Sequence, residues 1–233
     1  MTVAGPVLAL DSSTAGGSVA VAVEGRMVAE RVLPSAAGAS SLLMPAVDEA
    51  VRAAGLRPRD LAAVVAAGGP GSFTGLRIAA ATAKAIVRAL GVPLYAYSGL
   101  LAAAAAHRRE GRAVCALFDA RNREVFAGCW RFAEDGVQDV LAPAIMTVDE
   151  AIDRLRGEFP LFTGDGAALH ANELEAAFGP GGVHPAADES PAAGLLWLAR
   201  AVPERGRVAA PAAWDPEYLR ASGAERIAAA RAG

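Results

Sequence analysis

The sequence predicts a mixed α/β fold of two related units, each a mixed sheet with helical cover and the second unit reduced. Three observations carry that prediction. Residues 6 to 33 hold three apolar, β-branched segments separated by short turns; strands and helices alternate after them; and the polar stretch HRREGR is followed by a weaker version of the same order. A meander that gives way to alternating strands and helices needs a sheet with both antiparallel and parallel neighbours, because tight turns join the former and helical crossovers the latter.

The first unit spans residues 1–108. PVLAL, SVAVAV and RMVAERVL read as strands joined by turns at DSSTAGG and EG, which makes the neighbours antiparallel. After the loop from Pro34 to Gly38, SSLLMPAVDEAVRAAG places Leu43, Val47 and Val51 on one helical face, with Gly55 as the stop. LAAVVAAG reads as a buried strand, Gly75 to Leu90 as a helix closed by Gly91 and Pro93, PLYAYS as a strand and GLLAAAAAH as a helix. The order β-β-β-α-β-α-β-α defines a ribonuclease H-like unit.

The second unit spans residues 109–233. AVCALFDA, EVFAGCWRF and VLAPAIM repeat the three strands, and Thr147 with Glu150 makes a capping box for a helix through Arg156. An aspartate ends the first strand of both halves, Asp11 in LALDSST and Asp119 in LFDARNREV, as expected of two similar domains facing a cleft. A strand over PLFTGDGAAL and helices near Asn172–Phe178 and Pro191–Val202 complete a unit with fewer elements than a full duplicate needs.

Composition narrows the function. The 233 residues are 54% hydrophobic and 20% charged, with a formal net charge of -3; the chain as a whole lacks the positive field a stand-alone nucleic-acid binder uses. Lys84 is the only lysine, which removes most lysine-based mechanisms. No apolar run reaches the roughly 18 residues of a membrane span, and MTVAGPVLALDSST has no basic leader, so a cytoplasmic protein is expected. Cys115 and Cys129 have no metal or redox spacing and are expected as buried apolar residues.

The segment AAGGPGSFTGLRIAAATAKAIVRAL is the strongest motif. It is not a phosphate-binding P-loop, because five residues separate Gly69 from Gly75 and Leu76 stands where lysine belongs. It is not a dinucleotide fingerprint, since it runs GxGxxxG and no acid follows at the ribose position. No GxSxG elbow is present, and His107, His170 and His184 sit in no metal spacing. What survives is a loop that opens a helix, with N–H groups near Ser72 to Gly75 placed for an anion. Alternatively Ser72 or Thr74 only caps the helix, and the glycines serve a tight, close-packed turn.

Arg77 in the first helical turn opposes the macrodipole, which suggests a nearby carboxylate or an anionic ligand, the other reading being an arginine extended into water. In LALDSST, Asp11, Ser13 and Thr14 occupy the hairpin tip that holds phosphate and metal in ATPases and phosphotransferases of the actin-like fold. Here Ser13 takes the usual glycine position, which disfavours catalytic ATP use; simple turn chemistry is the other reading. The candidate anion or nucleotide contacts are therefore Asp11, Ser13, Thr14, Gly69, Gly71, Ser72, Thr74, Gly75 and Arg77; no catalytic residue and no metal ligand is assigned. Alanines dominate the helix that follows, and Ala79, Ala80, Ala83 and Val87 suit either the chain's own core or a partner subunit.

LALDSSTAGGSVAV, AAGGPGSFTGLRIAAATAKAI, DARNREVF, TGDGA and PEYLR occur in that order over nearly the whole chain. Together they resemble the TsaB family of tRNA threonylcarbamoyladenosine biosynthesis proteins, also described as glycoprotease-like. The resemblance implies two actin-like domains and no independent catalysis. It implies pairing with the paralogue TsaD and, through that complex, with the ATPase TsaE and with tRNA; ATP and magnesium are used by the complex, and no cofactor is required by this subunit. It implies dimerisation through helices of the first domain, which would place Ala79, Ala80, Ala83 and Val87 in an interface, with either a homodimer or a monomer when alone and no membrane association. Family members often carry a histidine where Ala39 stands here, which argues further against a metal centre. The alternative is an independent actin-like ATPase or small-molecule kinase resting on Asp11, Asp119 and the glycine loop. A peptidase has no supporting Ser/His/Asp, Cys/His or metal spacing.

Overall fold

The computed structural model describes residues 3–13, 17–34, 39–108, 111–134, 136–183 and 190–219. Thr14 and His184 lie outside the described residues, as does the side chain of Ala39, whose backbone opens the first helix. The first sheet contains β1 (Val7–Asp11), β2 (Ser18–Val23), β3 (Arg26–Val32), β4 (Ala63–Ala67) and β5 (Leu94–Tyr97), in the order β3-β2-β1-β4-β5. β1 pairs antiparallel with β2 and parallel with β4. The second sheet contains β6 (Ala113–Arg121), β7 (Glu124–Ala133), β8 (Gly136–Thr147) and β9 (Leu161–Thr163), in the order β8-β7-β6-β9. It repeats the first sheet without a fifth strand, with β6 antiparallel to β7 and parallel to β9. Both sheets are mixed, as the element order predicts.

Strand alternation sorts the core into layers. Leu8, Leu10, Val19, Val21, Val64 and Ala66 face α1 (Ala39–Ala53) and α2 (Phe73–Leu90) on the outside of the first sheet. Val7, Ala9, Ala63 and Val65 face the other way, into a central layer shared with Val114, Ala116, Phe118 and Trp130 of the second sheet. Cys115, Leu117, Val125 and Cys129 point outward again, onto α4 (Val148–Leu155), α5 (Asp165–Leu169) and α6 (Ala171–Phe178).

The central layer is filled by α3 (Gly99–Ala106) and α7 (Pro191–Ala201). Every residue of α3 is buried. A helix apolar on all sides belongs between two covering surfaces, and its run of alanines keeps it thin enough to lie between two sheets. Gly194 of α7 sits directly on α3: a β-carbon there would lie 2.0 Å from the Ala102 carbonyl oxygen.

The expected strand over residues 160–169 is corrected to the short β9, followed by Gly164 and α5. β-carbons at Gly164 and Gly166 would lie 2.3 Å from the Leu117 carbonyl oxygen and 2.9 Å from the Phe118 carbonyl carbon. The backbone presses on β6 there and turns away instead of extending the ladder. The capping box at Thr147 and Glu150 forms as expected, with Glu150 N–H donating to Thr147 Oγ1 at 3.2 Å and Thr147 N–H to Glu150 Oε2 at 3.0 Å.

After α7, the chain returns to the first sheet through α8 (Pro203–Gly206) and a strap over residues 207–219. Val208 N–H donates to the Leu94 carbonyl at 3.0 Å, Lys84 pairs with Asp215 at 3.1 Å, and Glu217 N–H donates to the Gly68 carbonyl at 2.7 Å. Tyr97 ties this return down. Its hydroxyl donates to the Val202 carbonyl at 3.1 Å and lies 3.3 Å from that of Leu198, and burial pushes the phenol's pKa up. Tyr97→Phe keeps the ring but leaves the end of α7 short of a donor, so a loss of about 1–2 kcal/mol is expected in urea denaturation.

Candidate functional site

The glycine-rich loop meets the first hairpin directly. Ser12 Oγ donates to the Gly75 carbonyl at 2.7 Å, and Ser72 N–H donates to the Ser13 carbonyl at 2.7 Å. A β-carbon at Gly75 would lie 1.8 Å from the Ser12 carbonyl oxygen, and one at Gly71 would lie 2.3 Å from that of Ser13. Gly69, followed by a cis peptide to Pro70, has the Glu217 carbonyl oxygen 2.2 Å from where its β-carbon would be. The glycines of this motif therefore serve close approach between backbone segments. Ser72 caps α2, its Oγ accepting from Gly75 N–H at 3.3 Å.

Asp11 is fully buried, and its Oδ1 accepts from Ser13 N–H at 2.9 Å and from Ser13 Oγ. Asp119 does the same in the second unit, with Oδ1 accepting from Arg121 N–H at 2.7 Å. Both aspartates thus fold a hairpin tip by bonding the N–H two residues on, the turn chemistry characteristic of this side chain. The duplication extends to this detail.

The structure brings together Asp11, Ser13, Gly69, Gly71, Ser72 and Gly75. Thr74 and Arg77 are exposed at the same end of α2. Arg77 faces an aromatic ring rather than a carboxylate: its guanidinium lies 4.6 Å from the Phe73 ring centre, and Phe73 in turn packs against Tyr218 at 5.0 Å. A cation over a ring offsets the unfavourable helix dipole without an anionic ligand. Gly99, whose N–H donates to the Gly69 carbonyl at 2.7 Å, is with Ser12 and Glu217 a contributor that sequence reasoning did not single out as a site residue. Only the PEYLR motif pointed toward Glu217.

The expected interface on α2 needs correction. Ala79, Ala80, Ala83 and Val87 are all buried inside this chain, with Ala79, Ala83 and Val87 packed in the core against the first sheet. The outward face of α2 instead carries Arg77, Ala81, Ala85 and Arg88, and that of α1 exposes Leu42 and Met44.

Cys115 and Cys129 are free, buried thiols opposite one another on β6 and β7; burial pushes the Cys115 thiol well up, which suits a core residue rather than a nucleophile. Among the described residues, no cluster of His, Cys, Asp and Glu could hold a metal ion, and no helix is long and apolar enough to cross a membrane.

Among the described residues, the chain itself fills the contact between Asp11–Ser13 and Gly69–Gly75. The Ser13 carbonyl takes the Ser72 N–H and the space beside Gly71, and Ser13 Oγ is turned onto Asp11. Fold and site together define a duplicated ribonuclease H-like, actin-like protein whose first hairpin is closed onto its own glycine loop.

Comparison with known proteins agrees with that class. The family model "TsaD: tRNA N6-adenosine threonylcarbamoyltransferase" matches residues 32–173. The tRNA threonylcarbamoyladenosine biosynthesis protein TsaB of Bacillus subtilis (strain 168) is 29% identical over 178 residues, 76% of this chain and 78% of that one. TsaB of Escherichia coli (strain K12) is 32% identical over 161 residues, 66% of this chain and 68% of that one. A crystal structure of a Pseudomonas aeruginosa protein with similarity to peptidase YEAZ superposes with a TM-score of 0.71 at 28% identity, covering 93% of this chain and 100% of that one. The chain belongs to the TsaB family, within the group described by the TsaD model.

Proposed function

We propose that this chain is a non-catalytic subunit in the formation of threonylcarbamoyladenosine in tRNA, supporting a TsaD-type transferase that places the group on the adenosine beside the anticodon. The observation that carries the reading is the closure of the first hairpin onto the glycine loop, where Ser12 and Ser13 occupy the space against Gly75 and Gly71. In this reading ATP and magnesium serve the complex, including its TsaE ATPase, tRNA is reached through the complex, and the chain pairs with itself when the partner is missing. The units 1–108 and 109–233 then divide the work, the first presenting the partner surface.

That surface is assigned to the outward faces of α1 and α2, where Leu42 and Met44 are 40% and 51% exposed. Purified chain alone should modify no tRNA, and adding it to TsaD, TsaE, ATP and threonylcarbamoyl-adenylate should restore transfer; no stimulation in that mixture refutes the proposal. Met44→Asp with Ala85→Asp should abolish co-purification with TsaD while leaving the thermal midpoint within a few degrees, because both positions are exposed. Magnesium-dependent nucleotide hydrolysis by the isolated chain, lost in Asp11→Ala, would support the independent ATPase instead.

A further inference from the structure

The glycine loop has a second neighbour besides the first hairpin. Residues 214–219 of the strap lie against it, with Glu217 N–H donating to the Gly68 carbonyl at 2.7 Å. A β-carbon at Gly69, where φ is 100°, would lie 2.2 Å from the Glu217 carbonyl oxygen, and one at Gly68 would lie 3.4 Å from the Trp214 ring. The two glycines thus form a seat for this segment. A contact that requires a bare backbone at Gly69 is a specific one.

The same segment borders α2. Phe73, Arg77 and Lys84 follow one another at steps of four and seven, which places them on one ridge of the helix. Tyr218 packs on Phe73 with ring centres 5.0 Å apart, the Arg77 guanidinium lies 4.6 Å from the Phe73 ring centre, and Lys84 pairs with Asp215 at 3.1 Å. The strap therefore runs beside the outward face of α2 while its backbone holds the loop that starts the helix.

Its ties are few. Among the described residues, the Glu217 to Gly68 bond is the only backbone hydrogen bond from residues 209–219 to the rest of the chain. Pro216 is buried, and Trp214 and Leu219 are half-buried against the cores, but Asp215, Glu217 and Tyr218 are exposed. The pair of Lys84 with Asp215, whose side chain is 81% exposed, is a surface ion pair of small net value. Every ordered residue loses backbone entropy, so a segment held by three apolar anchors and one backbone bond sits at the low end of local stability. β1 and β4, buried along their whole length, sit at the high end.

We propose that residues 214–219 are a latch that opens while both sheets stay folded, and that a protein seated on the outward faces of α1 and α2 holds it shut. Opening stands on the contacts of the strap, and closure by a partner rests on the interface proposed above. An open latch withdraws the Glu217 carbonyl from Gly69 and Tyr218 from Phe73, so the loop and the first turn of α2 lose one of their supports. Because coupling is reciprocal, a partner that favours the closed latch binds more weakly wherever the latch is opened.

Amide exchange of the full chain, followed by NMR, tests both parts. In the isolated chain Glu217 should exchange at least a hundredfold faster than Val65 of β4, at a rate that low urea leaves unchanged, as local opening requires. Equal protection at the two positions, with the same urea dependence, refutes the latch. Gly69→Ala pushes on Glu217 from beneath the strap and alters nothing on the outward faces; it should speed Glu217 exchange a further tenfold with Val65 still protected. Tyr218→Ala, at an exposed position, loosens the same segment and gives the same readout if the loop rejects the alanine.

A TsaD-type partner at saturating concentration should slow Glu217 exchange tenfold or more without changing Phe126, and Gly69→Ala should weaken its binding threefold or more. A partner that binds and leaves Glu217 unchanged refutes the coupling. Glu217 protected like Val65 in a chain that still binds the partner and stimulates transfer removes the latch and leaves the proposed function standing. A partner that does not bind overturns the proposed function and the coupling with it, while the isolated chain still decides the latch.

Discussion

Gly194→Leu is expected to prevent stable folding. A β-carbon at this position would lie 2.0 Å from the Ala102 carbonyl oxygen and 3.1 Å from the Ala106 backbone nitrogen. Both are backbone atoms of a helix buried along its whole length between two sheets, so neither can swing aside as a side chain would. Relief requires α7 to move off α3, opening the central layer to which both sheets contribute. A loss of about 4 kcal/mol or more follows, in the range reserved for core disruption and comparable with the roughly 5–15 kcal/mol that holds a typical domain folded. Soluble yield and the urea midpoint check this, with Gly194→Ala as the milder step. A midpoint for the leucine variant equal to that of wild type would refute the close α3–α7 contact.

Gly75→Val should produce the second largest effect, and a local one. The added β-carbon would meet the Ser12 carbonyl oxygen at 1.8 Å. Moving the hairpin away breaks the Ser12 Oγ to Gly75 carbonyl bond and the Ser72 N–H to Ser13 carbonyl bond together. Overpacking of this kind costs about 1–3 kcal/mol, before the two lost hydrogen bonds are counted. Amide exchange should speed up at Ser72 and stay unchanged at Phe126 in the second sheet. Gly157→Ala, with nothing within 4 Å of the new carbon, is the neutral comparison. Unchanged protection at Ser72 in the valine variant would show that the hairpin does not dock on the loop. If the chain acts as a scaffold for TsaD, the same variant should reduce stimulation of transfer by disturbing the start of α2.

The mixed sheets were legible because the strands are apolar, β-branched runs and the turns at DSSTAGG and EG carry glycine. Which residues of β1 face which layer, Leu8 and Leu10 against Val7 and Ala9, is decided by the pleat. The place of α3 was not legible, because a helix buried all round has no polar stripe to show which neighbour it meets. For α2, the spacing of Ala79, Ala80, Ala83 and Val87 marked one buried face correctly as a face; what covers it was a question the spacing could not answer, and the first sheet does so. Residues 164–169 read as strand because their apolar content resembles β9, while the turning force is the contact of Gly164 and Gly166 with β6, far away in sequence.

At the candidate site, the need for small residues was visible and the cause was not. Ser12 reaches Gly75 across 63 positions, and Glu217 reaches Gly69 from the far end of the described chain. Asp11 read either as a phosphate or metal contact or as a turn residue; it and Asp119 both bond the N–H two residues on, at Ser13 and Arg121, which is turn chemistry.

The strap that ends on Gly68 and Phe73 carries a consequence for biosynthesis. A ribosome translating this message finishes β1 to β5 early, yet α7 and residues 207–219 are the last described segments to emerge from the exit tunnel. The earliest-made half therefore waits, with its inner apolar surface uncovered, until α7 has emerged. Nascent chains stalled before residue 190 should be strong clients of trigger-type chaperones, and those released past residue 219 should let go of them.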